Sequence, residues 1–304
     1  TIEYDNMVSG FHTTIIKTGT NSFSTWGQWA KGMSHLASPT PILPPTFNYT
    51  GTPLKATLGT ISFGDTDMFL LTTDGLYIWG RYSTMNKLTV DGETDGLPPG
   101  VSPTDVKMLF GSMGLLAIVT NNGETWVMGR PTGDGYEGSY NYKSLWTRVK
   151  KDATTTLDNV VAVRGVDNVL FALTSDGKLY TWGRDTLIGN NSLPTVRHYA
   201  TEVSVPEGVT PKMIGMTTDR FIPTYYLLAT NGKLYVMGGN MHGQLGTGDV
   251  SYRYTWVQPI KHSSQGQGTG YLEDVVWISP NEHDSTTHPA INVITKDKKL
   301  WTFG

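Results

Sequence analysis

Two short stretches carry side chains of the kind a metal ion needs. Asp91-Gly92-Glu93-Thr94-Asp95-Gly96 sets three carboxylates at alternate positions of a loop rich in Gly and Pro. That spacing can wrap Ca²⁺, a hard cation that takes several oxygen ligands. The twelfth position from Asp91 is Ser102, so the bidentate acid of an EF-hand is missing and the loop reads as solvated. Glu282-His283-Asp284 with His288 offers carboxylates and imidazoles in a second polar loop. Neither stretch is a complete ligand set, and the expectation is no metal and no cofactor. Tyr136, Tyr140 and Tyr142 stand together in RPTGDGYEGSYNYKS, residues 130–144. Tyr among Gly, Ser and Asn is the composition of an adaptable recognition surface, because Tyr supplies contact area at low entropic cost. These three are the candidate ligand-binding residues.

Motifs for catalysis are missing. The chain has no cysteine, no Gly-x-Ser-x-Gly elbow, no Walker loop and no dinucleotide fingerprint after a strand. A propeller glycosidase needs paired carboxylates in its channel, whereas the carboxylates here lie mostly in turns, where Asp has a structural reason to be. The expectation is a protein that is not an enzyme.

The elements that carry these loops repeat. LFALTSDGKLYTWG, residues 170–183, is an apolar run, an Asp-Gly turn, a second apolar run with aromatics and a closing Gly. Asp-Gly between such runs predicts a β-hairpin with a two-residue type I′ turn, both of whose central residues need φ > 0. The same pattern recurs as FLLTTDGLYIWG, LAIVTNNGETWVMG, YLLATNGKLYVMG and NVITKDKKLWTFG, with a looser copy in HTTIIKTGTNSFSTWG. In the last clear copy Lys298 takes the Gly place. Lys is costly at φ > 0, which predicts a different turn there. The closing glycines are Gly27, Gly80, Gly129, Gly183, Gly238 and Gly304, 49 to 66 residues apart.

A strand such as Val160–Gly165 precedes each hairpin and one such as Leu145–Val149 follows it, which makes four strands per repeat, the count of a propeller blade. The sixth repeat lacks its fourth strand. Hairpin strands apolar on both faces suit sheets stacked on both sides. Trp26, Trp79, Met128, Trp182, Met237 and Phe303, each before a closing Gly, are expected to fill the gaps between blades. The fold class is therefore all-β: a β-propeller of four-stranded antiparallel blades, six repeats present, in a six- or seven-bladed ring. Residues 1–304 read as one propeller domain. The chain opens on Thr1 and stops on the last letter of the repeat, as a module of a longer polypeptide would.

LLATNGKLYVMGGNMHGQLGTGD, residues 227–249, resembles the repeat of the regulator-of-chromosome-condensation family, a DG-LY-WG hairpin followed by G-N-x-x-GQLG-x-G. The hairpin half covers the chain, and the GQLG half occurs only in the fifth repeat. The resemblance implies a seven-bladed propeller and, for the founding member, nucleotide exchange on a small GTPase with chromatin binding. A chromatin binder should carry a basic patch, whereas 23 Lys+Arg here face 26 Asp+Glu for a net charge of −3. A second branch, the plant UV-B photoreceptor, carries Gly-Trp-Arg-His-Thr, which the chain lacks. No uncharged apolar run reaches the ~18 residues of a membrane helix.

The expectation is a non-enzymatic binding or adhesion module. It presents loops to a protein or glycan ligand, or to other subunits of an assembly. It belongs to a bacterial surface or virion appendage protein, with no nucleic acid and no membrane insertion. The alternatives are an intracellular GTPase regulator and a propeller hydrolase with channel carboxylates.

Overall fold

The computed structural model describes residues 2–10, 12–61, 66–90, 93–136, 143–283 and 289–304, with no side chains given for residues 143 and 144. Blade 1 holds β1 (Met7–Ser9), β2 (Thr13–Gly19), β3 (Ser22–Gly27) and β4 (Leu36–Pro41). Blade 2 holds β5 (Pro53–Gly59), β6 (Asp67–Thr72), β7 (Gly75–Gly80) and β8 (Ser83–Lys87). Blade 3 holds β9 (Val106–Ser112), β10 (Leu115–Thr120), β11 (Thr125–Gly129) and β12 (Lys143–Arg148). Blade 4 holds β13 (Val160–Val166), β14 (Val169–Thr174), β15 (Leu179–Thr186) and β16 (Thr195–Val203). Blade 5 holds β17 (Pro211–Thr218), β18 (Pro223–Ala229), β19 (Leu234–Gly238) and β20 (Arg253–Val257). Blade 6 holds β21 (Val275–Pro280), β22 (Ile291–Thr295) and β23 (Leu300–Phe303). Every blade is an antiparallel meander in chain order, and the helical content of the described residues is two 3₁₀ turns. The fold is the expected β-propeller of six blades.

The hairpin turns differ from the sequence expectation in kind. In the Ser175-Asp176-Gly177 turn of blade 4 only Gly177 has φ > 0, so the turn is not type I′. Gly177 N–H donates to the Thr174 carbonyl at 3.1 Å and Thr174 N–H to the Lys178 carbonyl at 2.9 Å. This is a type I turn closed by a left-handed residue, the usual three-residue hairpin. The Thr174 hydroxyl donates to Asp176 at 2.5 Å, so Asp is there as an acceptor rather than for its tolerance of φ > 0. Blade 6 keeps the same turn: Lys298 N–H donates to the Thr295 carbonyl at 2.8 Å, and Lys298 itself sits at φ 65°. The different turn expected there does not form, because the Thr295 hydroxyl still holds Asp297 at 2.6 Å.

Closing glycines have a steric cause. A Cβ on Gly183, at φ 117°, would lie 2.1 Å from the Asn168 carbonyl oxygen. Trp79, Met128, Trp182 and Met237 are buried as expected, and the indole N–H of Trp79 donates to the Ala30 carbonyl at 2.8 Å. Trp26 and Phe303 are only half-buried. Phe303 nevertheless packs against the core shared by blades 5 and 6.

Apolar clusters join blades 1 and 2, blades 2 and 3, blades 3, 4 and 5, and blades 5 and 6. Among the described residues none joins blade 6 to blade 1. Strand burial shows the same seam. All residues of β6, β10, β14 and β18 are buried, so those sheets are covered on both faces. In β22 buried and exposed residues alternate, and β2 is covered on one face only. Blade 6 presents Ile294 and Leu300 outward, and blade 1 presents Met7.

Candidate functional site

A groove forms where the loop after Gly129 leans on blade 4. Two backbone contacts pin the loop: Gly135 N–H donates to the His198 carbonyl and Lys150 N–H to the Gly133 carbonyl, both at 2.9 Å. The Thr132 hydroxyl donates to the Asp134 carboxylate at 2.7 Å, which stiffens the turn. Arg130, Asn168, Arg184, Arg197, His198 and Tyr136 line the groove, with Pro131 and Val196 as apolar shoulders. Tyr136 is 43% exposed and Val196 40%. Of the three candidate tyrosines, Tyr136 therefore stands at a formed groove, while Tyr140 and Tyr142 lie outside the described residues. Arg197 is half-buried and donates to the Thr186 carbonyl at 3.1 Å and to its hydroxyl at 2.8 Å. Burial holds its guanidinium below the usual arginine range.

The centre of the ring holds a second cluster. Arg164 interrupts the apolar run of β13, and its side chain is buried. It donates to both oxygens of Asp5, at 2.8 and 2.9 Å, and to Glu282. Tyr4 and Phe110 cover the guanidinium with their ring faces at 4.8 and 4.4 Å. His283 Nδ1 donates to the Gly111 carbonyl at 2.7 Å, since a carbonyl can only accept, and Nε2 lies 3.5 Å from Asp5. Burial pushes the Asp5 carboxyl up, but Arg164 and His283 more than reverse this and hold it well below the usual carboxylate range. Burial pushes Glu282 up, and Arg164 only partly offsets that; its Oε2 has no hydrogen-bond partner. A cavity of about 250 Å³ adjoins the cluster, lined by Asp5 and Glu282 together with Met7, Ile214, Ser279 and Asn292.

The metal readings divide accordingly. Asp91 and Gly92 lie outside the described residues, and Asp95 accepts the Leu97 N–H at 3.1 Å, a turn role. Glu282 and His283 meet Asp5, with one potential ligand atom from each within 4.8 Å of the others. Asp284 and His288 lie outside the described residues. Arg164 donates to both Asp5 oxygens and to one Glu282 oxygen and acts as their counter-ion, while Glu282 Oε2 is left without a partner. Sequence reading passed over Asp5 and Arg164. A lone Arg in an otherwise apolar inner strand was the available signal, because a charge there must find a partner.

The GQLG stretch is architectural. Asn240 is fully buried; its amide donates to the Asp249 and Ser251 carbonyls at 3.0 Å, and its oxygen accepts the Leu245 N–H at 3.0 Å. Gln244 accepts the His242 N–H at 2.9 Å. Leu245 is buried in the core shared by blades 5 and 6.

No family model matches the chain. Among solved structures it is similar to human WBSCR16, at 16% identity and a TM-score of 0.66 over 98% of this chain and 75% of that one. It is also similar to Prp20p from Saccharomyces cerevisiae, studied for its binding to Gsp1p and histones, at 14% identity and a TM-score of 0.60 over 97% and 70%. A structure of Kap60 bound to yeast RCC1 (Prp20) gives 15% identity and a TM-score of 0.60 over 97% and 68%. At these identities the likeness is one of fold, a β-propeller shared with WBSCR16 and Prp20p.

Proposed function

We propose that the chain is a non-catalytic binding module that engages a partner protein through the groove of the 130–136 loop, in an extracellular surface or appendage protein. The observation that carries this reading is the placement of an exposed Tyr136 on a backbone-pinned loop at the edge of sheets buried on both faces. A rigid scaffold with variable loops is the usual way to build a recognition site. Protein rather than glycan partners are favoured by the propellers of similar fold whose structures report Gsp1p, histones and Kap60 as partners. Low charge and loops rich in Thr, Asn and Gly favour the extracellular setting. The two central carboxylates share one guanidinium, which suits a structural clasp better than a free acid and base.

Replacing Tyr136, Tyr140 and Tyr142 by Ala together should abolish attachment to the ligand-bearing surface and leave the melting temperature nearly unchanged. Attachment that survives the triple change would move the site to another face. Glycan hydrolysis by the purified module, lost in Glu282→Gln, would favour the hydrolase instead. Guanine-nucleotide exchange by the module would favour the GTPase regulator.

A further inference from the structure

We infer that the groove between the 130–136 loop and blade 4 takes an acidic, extended peptide segment, with partner carboxylates on its arginines. The inference rests on the groove being the binding site. The chain has eight arginines, and three of them, Arg130, Arg184 and Arg197, line this one groove with His198. Among the described residues no Asp or Glu lines it. Arg197 is the telling member. Its described hydrogen bonds run only to the neutral Thr186 carbonyl and hydroxyl, which leave the rest of a five-donor fork for a ligand. Burial holds its guanidinium below the usual range, and among the described residues no carboxylate is a cause that offsets this. Carboxylate is the planar acceptor that matches such a fork.

Acidic groups do stand on the same rim. Asp185 lies 3.5 Å from Arg184 Nε, and Asp167 feels Arg130, Arg184 and Arg220. They temper Arg184 and Arg130, while none is among the causes of the Arg197 shift. A peptide fits better than nucleic acid, whose affinity comes from neutralising many phosphates. Four basic side chains in one groove of a chain with net charge −3 cannot supply that. The shoulders formed by Pro131, Val196 and Tyr136 suit the apolar stems of peptide side chains.

The test is fluorescence anisotropy of the whole module with a labelled peptide of alternating Glu and Val. The same peptide with Gln for Glu, a short single-stranded DNA and a heparin oligosaccharide serve as comparisons. The acidic peptide should bind, the Gln peptide should not, and added salt should weaken binding. Arg197→Gln should reduce affinity by about tenfold or more, the worth of one charge-assisted pair. Arg197 also ties Thr186, so Arg184→Gln, at a side chain 54% exposed, provides a second variant that should weaken binding, with its melting temperature measured beside the wild type's. Equal binding of the Gln peptide, or acidic-peptide binding indifferent to both variants, would overturn the inference. So would tighter binding of DNA or heparin than of the peptide. If the three-tyrosine variant loses attachment while no acidic peptide binds, the groove stands as the site and the acidic class is wrong. Attachment that survives that variant removes the groove itself.

Discussion

At the scale of single residues the molecule is organised around Arg164. A buried guanidinium is tolerable only when every charge near it is matched, and Asp5 and Glu282 supply the match from the N-terminal segment and from the segment after β21. The clasp thus ties together segments far apart in sequence, and it makes a sign-definite prediction. The folded protein holds Asp5 below the ordinary carboxylate value of 3.8. A depressed carboxyl contributes stability that is fully present above its unfolded value and is lost as pH falls through the folded one. Glu282 is raised above 4.5, so its contribution runs the other way and declines as pH rises through that value. Below about pH 4 the Asp5 contribution should therefore dominate the slope. Urea unfolding of the wild type and of Asp5→Asn between pH 7 and pH 3 should show the variant less stable at neutral pH and flatter below pH 4. Parallel curves in that window would mean that Asp5 is not ionised against Arg164 in the fold. The pairing was illegible in the sequence because nothing local connects residue 5 with residues 164 and 282. Only the stray charge in VVAVRGV pointed to it.

At the scale of elements the sequence was informative about what repeats and silent about how each turn is built. Closing glycines, apolar strands and the Thr-x-Asp/Asn pattern all occupy the places their chemistry suggests. The turn type was misread because Asp-Gly has two good uses. It can fill both φ > 0 positions of a type I′ turn, or Asp can accept from the Thr hydroxyl while Gly alone turns left-handed. The second use explains why NNG and DK stand in the same place: Thr120 donates to Asn122 at 2.5 Å and Thr295 to Asp297 at 2.6 Å. It also isolates a cost. Lys298 carries a Cβ at φ 65°, where L residues pay about 1 kcal/mol relative to Gly. Lys298→Gly should therefore stabilise the protein by up to about 1 kcal/mol, discounted for the greater freedom of Gly in the unfolded chain. A loss of stability in equilibrium unfolding would show that the Lys side chain makes contacts that outweigh its backbone strain.

At the scale of the whole molecule the ring is a stack of sheets, and among the described residues an apolar core joins each consecutive pair of blades but not blade 6 to blade 1. Strands that read as apolar on both faces, such as FLLT and LFALT, belong to blades with neighbours on both sides. NVIT, with Asn292 and Thr295 beside its two apolar residues, belongs to a blade that is covered on one face among the described residues. The alternation of burial in β22 was only half legible in the sequence: Asn292 marks the outer face, but Ile294 on that face and the buried Thr295 break the pattern. It has an energetic consequence that separates the two faces of one strand. Ile291 faces the core shared with blade 5 and is buried, whereas Ile294 faces the seam and is 39% exposed. Truncating a buried Ile removes transfer energy and leaves a cavity, together about 2–5 kcal/mol. Truncating a half-exposed one on an uncovered face leaves no cavity and should cost under about 1 kcal/mol. Ile291→Ala and Ile294→Ala, three residues apart in the same strand, should therefore differ by at least about 1 kcal/mol in urea unfolding. Leu300, paired with Ile294 and 70% exposed, should behave as Ile294 does. Equal costs at Ile291 and Ile294 would mean that something covers the outer face of blade 6 in solution.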